Sequence, residues 1–161
     1  MKNLSIDENA TGLLIGALAV GGIKNVVYIQ KFDLDELPNL YSPWDGETVG
    51  ELASCEKISE NEREKKLERF NFFKECVLEN KYTDTTIFAV RRNARYPIQI
   101  IDGIHRAVGI QKALIDQNVD KEVLKNKINL RILLVDSEDM IKYPDYIKLL
   151  TLASNEAKKN T

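Results

Sequence analysis

The chain has 161 residues, 43% of them hydrophobic and 30% charged, with a formal net charge of −2. That length suits one domain with a real core, and the near-neutral balance excludes the strongly basic composition of a dedicated nucleic-acid binder. Cys55 and Cys76 have neither CxxC nor Cys/His spacing, so no disulfide framework or zinc site is expected, and reduced thiols fit a cytoplasmic protein.

Residues 1–10 read as a polar, frayed start. The apolar run "TGLLIGALAVGGI" at 11–23 is too short to span a bilayer. The mostly polar residues before it do not make a signal peptide, so neither secretion nor a membrane partner is expected. Periodicity leaves this run open between helix and strand. "NVVYIQKF" at 25–32 has the β-branched and aromatic bias of a strand. "DLDELPNLYSPWDGET" at 33–48, with two prolines, a glycine and several acids, is a loop holding a short turn. A helix "ETVGELASC" is expected to open at Glu47.

Ser59 followed by Glu62 matches a capping box. Leu67, Phe70, Phe73 and Val77 then recur at helical spacing, with "NEREKKLER" as a solvated face. "TTIFAV" (85–90) and "YPIQII" (96–101) read as strands joined by the basic turn "RRNAR". The second strand runs into a helix whose buried stripe would be Ile104, Ala107, Val108, Leu114 and Ile115. After a polar connection comes a strand, "INLRILLV" (128–135), then a helix starting in "DSEDM" and interrupted at Pro144; residues 155–161 fray. The order is mixed α/β in one compact domain, a small mixed sheet flanked by helices.

The junction of second strand and helix, "DGIHR" at 102–106, holds the chain's single histidine. The first amides of a helix lack intrahelical partners, and the helix dipole adds partial positive charge there, so phosphate oxygens are received well. Gly103 lets a ligand approach the backbone. Arg106 offers a fork of donors suited to phosphate, and His105 a donor whose charged form a phosphate would favour. Asp102 makes sense as a helix cap, as a group orienting His105 or Arg106, or as a ligand of a divalent cation bridging to phosphates. The plain alternative is structural: Asp-Gly is a common turn, and Asp a common N-cap.

At these residues the sequence resembles the ParB/sulfiredoxin-like superfamily, whose members run a strand through a D-G-x-H-R type turn into a helix. "IIDGIHRAVGIQKAL" carries the resemblance, and the preceding "RFNFFKECVLENK" and "TDTTIFAVRRNARYPIQII" follow the family's element order; the match covers about residues 66 to 116. It implies an α/β domain of that fold that binds nucleotide phosphates at Asp102, Gly103, Ile104, His105 and Arg106. Sulfiredoxins place a cysteine where Ile104 stands, so their thiol chemistry is not expected here. Asp-Gly-x-His-Arg looks more like the free serine kinase branch. That branch implies ATP or another nucleoside phosphate with Mg²⁺, Asp102 as metal ligand, a small hydroxyl-bearing substrate, and Asp102, His105 and a glutamate in catalysis.

Phosphoryl transfer needs neutralised phosphates, an in-line nucleophile and often a carboxylate base. The loop at 33–48 offers Glu36, Asp45 and Glu47, of which Glu47 is favoured; its structural alternative is a favourable charge at a helix N-terminus. Trp44 could stack on a base or close the core edge. A second reading is a nucleic-acid-binding or nuclease module in which Arg91, Arg92, Arg95 and Arg106 grip a phosphate backbone. A third is a catalytically inactive partner-binding scaffold, of the kind phages and plasmids encode.

Overall fold

The computed structural model describes residues 26–43, 47–54, 61–79, 84–91 and 93–136. In chain order these form strand β1 (Val26–Ile29), a 3-10 helix (Leu34–Asn39), helices α1 (Val49–Ser54) and α2 (Asn61–Leu78), strands β2 (Asp84–Arg91) and β3 (Gln99–Asp102), helices α3 (Ile104–Leu114) and α4 (Lys121–Lys127), and strand β4 (Asn129–Asp136). The expected α/β class is therefore present. The expected capping residue Ser59, the first apolar run, the helix from "DSEDM", and Trp44, Asp45, Cys55 and Arg92 lie outside the described residues.

The four strands lie in the order β1-β4-β2-β3. β4 is antiparallel to β1 and parallel to β2, and β2 is antiparallel to β3. β4 occupies an interior position because "ILLV" can be buried on both faces, as a continuous apolar run demands. Leu130, Ile132 and Leu134 join Ile87, Ala89, Ile100 and the helices in one cluster, while Phe88 and Leu133, which alternate with them, are also fully buried. Beyond β3, Tyr41 extends the sheet: its amide donates to the Ile98 carbonyl at 2.9 Å and its carbonyl accepts from the Ile100 amide at 2.8 Å.

Helix α3 is the hub of the helical layer. Its Ala107, Val108, Ile110 and Ala113 are fully buried. Phe70 of α2 lies against His105, with ring centroids 5.5 Å apart, and Phe73 lies against Gly109, so the two helices run side by side in the same direction. A Cβ on Gly109 would come within 2.5 Å of the Phe73 Cβ; that glycine sets how closely the helices approach.

Three expectations about elements need correction. Ile115 is not in the buried stripe: α3 ends at Leu114, and Ile115 is its C-cap, 47% exposed. The chain leaves the helix there because Asp116 turns it, accepting from the Asn118 amide at 2.9 Å while held by Lys74 at 3.0 Å. The polar connection contains α4, started by the Asp120 carboxylate, which accepts from the amides of Glu122 and Val123. The helix expected from Glu47 begins two residues later. Thr48 caps its start, the Thr48 Oγ1 accepting from the Glu51 amide and donating to the Glu51 carboxylate, each at 3.1 Å. Among the described residues no helix is long and apolar enough to cross a membrane.

Candidate anion-binding site at the head of helix α3

β3 does not run straight into the turn. Its ladder with β2 passes from Ala89↔Ile100 to Phe88↔Asp102, which leaves Ile101 as the extra residue of a β-bulge and bends the strand just before the motif. Gly103 then takes φ 100° and ψ 16°, a left-handed conformation that suits glycine and strains other residues. Space gives the same answer: a Cβ there would lie 2.6 Å from the Ile87 Cγ2 and 3.1 Å from an Arg106 guanidinium nitrogen. The Gly103 carbonyl accepts the first intrahelical bond, from Ala107 at 2.9 Å. No side chain at Gly103 caps the helix, and the first-turn amides have no intrahelical acceptor.

Arg106 does not present an open fork to solvent. The residue is 5% exposed, and its guanidinium donates to the Asp102 Oδ2 at 3.0 Å. The two ends of the motif are thus tied to each other, four residues apart, with the glycine turn between them. The sequence gives no hint of this direction, because Arg at the first turn of a helix usually reaches water. Asp102 accordingly takes the role of orienting Arg106. Among the described residues, no group of three or more His, Cys, Asp or Glu side chains could hold a metal ion. Ile104 is 4% exposed; only its backbone is suited to a ligand.

His105 is half-buried, its ring tilted 40° against that of Phe70. Burial lowers its pKa from 6.5 to about 4, helped by the positive charges of Arg69, Lys66 and Arg106 and opposed by Asp102. The imidazole is therefore neutral at neutral pH. The same causes reveal a concentration of positive charge. Lys66 and Arg69 stand one turn and one residue before Phe70 on α2, and the parallel run of α2 and α3 carries them to the head of α3. These two residues were missed in the sequence, where they belong to the charge-rich run assigned to a solvated face. Their spacing from Phe70 and Phe73 was the available signal: Lys66, Phe70 and Phe73 follow one helical stripe, and Lys66 is only half-exposed.

No family model matches the chain, and neither the curated proteins nor the solved structures hold a match to it.

The remaining candidates are dispersed. Glu47 precedes the N-cap Thr48 of α1, and its carbonyl accepts from the Ser42 amide at 2.7 Å; it lies at the end of the segment that flanks β3, and α1 packs against α3. Arg91 ends β2 and is bound to Asp136 at 2.9 Å. Arg95 is exposed in the turn, where its amide is held by the Asn93 side chain. With Arg91 tied to Asp136 and Arg106 buried, the expected four-arginine surface is not assembled among the described residues. A surface cleft of about 390 Å³ lies between Lys31–Leu34 and α4, away from every residue of the motif.

Proposed function

We propose that the chain binds a nucleoside phosphate at the head of α3 and serves phosphoryl transfer of the kinase type. What supports this is the left-handed Gly103 turn that opens α3, together with the positive fields of Lys66 and Arg69 at the half-buried His105. Phosphate oxygens would accept from the first-turn amides and His105, and the two α2 cations would balance their charge. The Asp102–Arg106 pair works from beneath, fixing the turn that aims those amides. Mg²⁺, where it takes part, would arrive on the nucleotide, which is how this ion is commonly bound. Glu47 is the candidate base for a small hydroxyl acceptor. The nucleic-acid reading is weaker, since Arg91 and Arg106 are both occupied by carboxylates.

A thermal-shift panel with ATP, ADP, CTP and GTP, each with and without Mg²⁺, tests the reading. At least one nucleotide should raise the melting temperature. Lys66→Ala and Arg69→Ala should each weaken binding by about tenfold, the loss of one charge-assisted hydrogen bond. No shift with any nucleotide would remove the proposal and leave the partner-binding scaffold; retention on DNA that weakens steeply with salt would favour the nucleic-acid module. Where a nucleotide binds, ³¹P NMR with serine as acceptor reads the transfer, and Glu47→Gln should abolish it.

A further inference from the structure

We propose that a segment beyond β4, residues 146–153, lies across the second face of the sheet and shields Phe88, Val90, Leu133 and Val135 from water. The inference concerns the face opposite α3 and does not depend on the nucleotide reading.

Side chains alternate between the two faces of a sheet. Ile87, Ala89, Leu130, Ile132 and Leu134 point to one face, where they join residues of every described helix in a single cluster. Thr86, Phe88 and Val90 of β2 point to the other, level with Arg131, Leu133 and Val135 of β4. None of these six belongs to the helical cluster. Yet Thr86, Phe88, Leu133 and Val135 are 0% exposed and Val90 4% within a single chain. Their cover is therefore part of this chain, and it comes from beyond the described residues. Tyr28 of β1, opposite Leu133, extends the same surface, its hydroxyl 3.5 Å from the Thr86 Oγ1. The surface turns polar at Arg131 and Asn129, both only partly buried.

The sequence decides between the two segments that border the sheet. Residues 11–23 carry no charged residue and have glycines at 12, 16, 21 and 22, a poor basis for a helix with one buried stripe. They also lead toward β1, at the edge of the sheet. After β4, Tyr146, Leu149, Leu150 and Ala153 recur at i, i+3, i+4 and i+7, with Lys148 and Thr151 on the opposite side. β4 lies between β1 and β2, so a chain that leaves Asp136 and turns back passes over Leu133 and Phe88. The dimensions agree. From Val135 to Arg131 the strand spans about 13 Å, and eight residues of helix span about 12 Å.

NMR on the full chain, with Val, Leu and Ile methyls labelled, tests the proposal without any substitution. Cross-peaks should join the methyls of Val90, Leu133 and Val135 to those of Leu149 and Leu150. Cross-peaks to Leu13, Leu14, Ile15, Leu18 or Val20 instead would give the face to the N-terminal run and overturn the proposal. Contacts found only between differently labelled copies would give it to a second molecule and overturn it equally. Without any contact to Leu149 or Leu150 the proposal falls. Urea unfolding supplies an independent readout. Leu150→Asp should lower the folding equilibrium constant by about tenfold or more, the contribution of one buried leucine, whereas Lys148→Asp should leave it within about twofold. Equal effects of the two substitutions overturn the proposal.

Discussion

His105 shows how a residue's surroundings become a stability that depends on pH. Its folded pKa is about 4, against 6.5 for an ordinary histidine, so acid protonates the unfolded chain first. The stabilisation is complete above about 6.5 and is lost as pH falls from there toward about 4. The whole shift corresponds to about 3 kcal/mol, and solvent screening of the half-exposed ring and its surface cations reduces this to about 1 kcal/mol. Asp35 and Asp116, whose carboxyls are held below the usual range chiefly by the Lys125 hydrogen bond and by the Asn118 amide respectively, also lose stability in acid. The comparison with His105→Gln isolates the histidine. Urea unfolding at pH 7.5 and 4.5 should show a larger loss in the wild type than in the variant by about 1 kcal/mol; equal losses would show that the ring is solvated. At this scale the sequence conveyed the motif well, because Asp-Gly-x-His-Arg states its own spacing. It did not convey that Arg106 turns inward or that Lys66 and Arg69 arrive from α2. Those facts depend on how one helix is rotated against another.

The seam between α2 and α3 is where that rotation is set. Gly109→Ala would gain about 1 kcal/mol in helix propensity, yet its Cβ would meet the Phe73 Cβ at 2.5 Å and the Lys74 backbone nitrogen at 2.9 Å. Overpacking against backbone costs about 1–3 kcal/mol, and the helices cannot part without withdrawing Phe70 from His105. A net destabilisation of about 1–2 kcal/mol is expected in urea unfolding, together with weaker nucleotide binding as Lys66 and Arg69 move away. A variant as stable as the wild type would mean that the seam widens freely. Strands and long helices were legible because β-branched runs and a repeating apolar stripe are properties of the chain alone. α4 was not, since seven residues make too short a period to recognise. Its start is written in one side chain, Asp120, and the end of α3 in another, Asp116.

Over the whole molecule the burden falls on β4, which pairs with β1 on one side and β2 on the other. Ile132 is fully buried and faces Ile29 in β1 and Ile87 in β2. Ile132→Ala should therefore cost about 3–5 kcal/mol, and Ile29→Ala, on the neighbouring strand and only partly buried, about 1–2 kcal/mol. Chemical denaturation of both variants checks the order; a reversal would show that the first strand, not the fourth, organises the sheet. The α/β class was readable from the succession of elements, whereas the strand order was not, because pairing is decided by distant partners. That order has a bearing on synthesis. β1 and β2 are made early, and the strand that separates and joins them is the last of the four to leave the ribosome. Until Asn129–Asp136 emerges, the nascent protein holds two edges with a gap between them, and sheet closure waits on the synthesis of that strand.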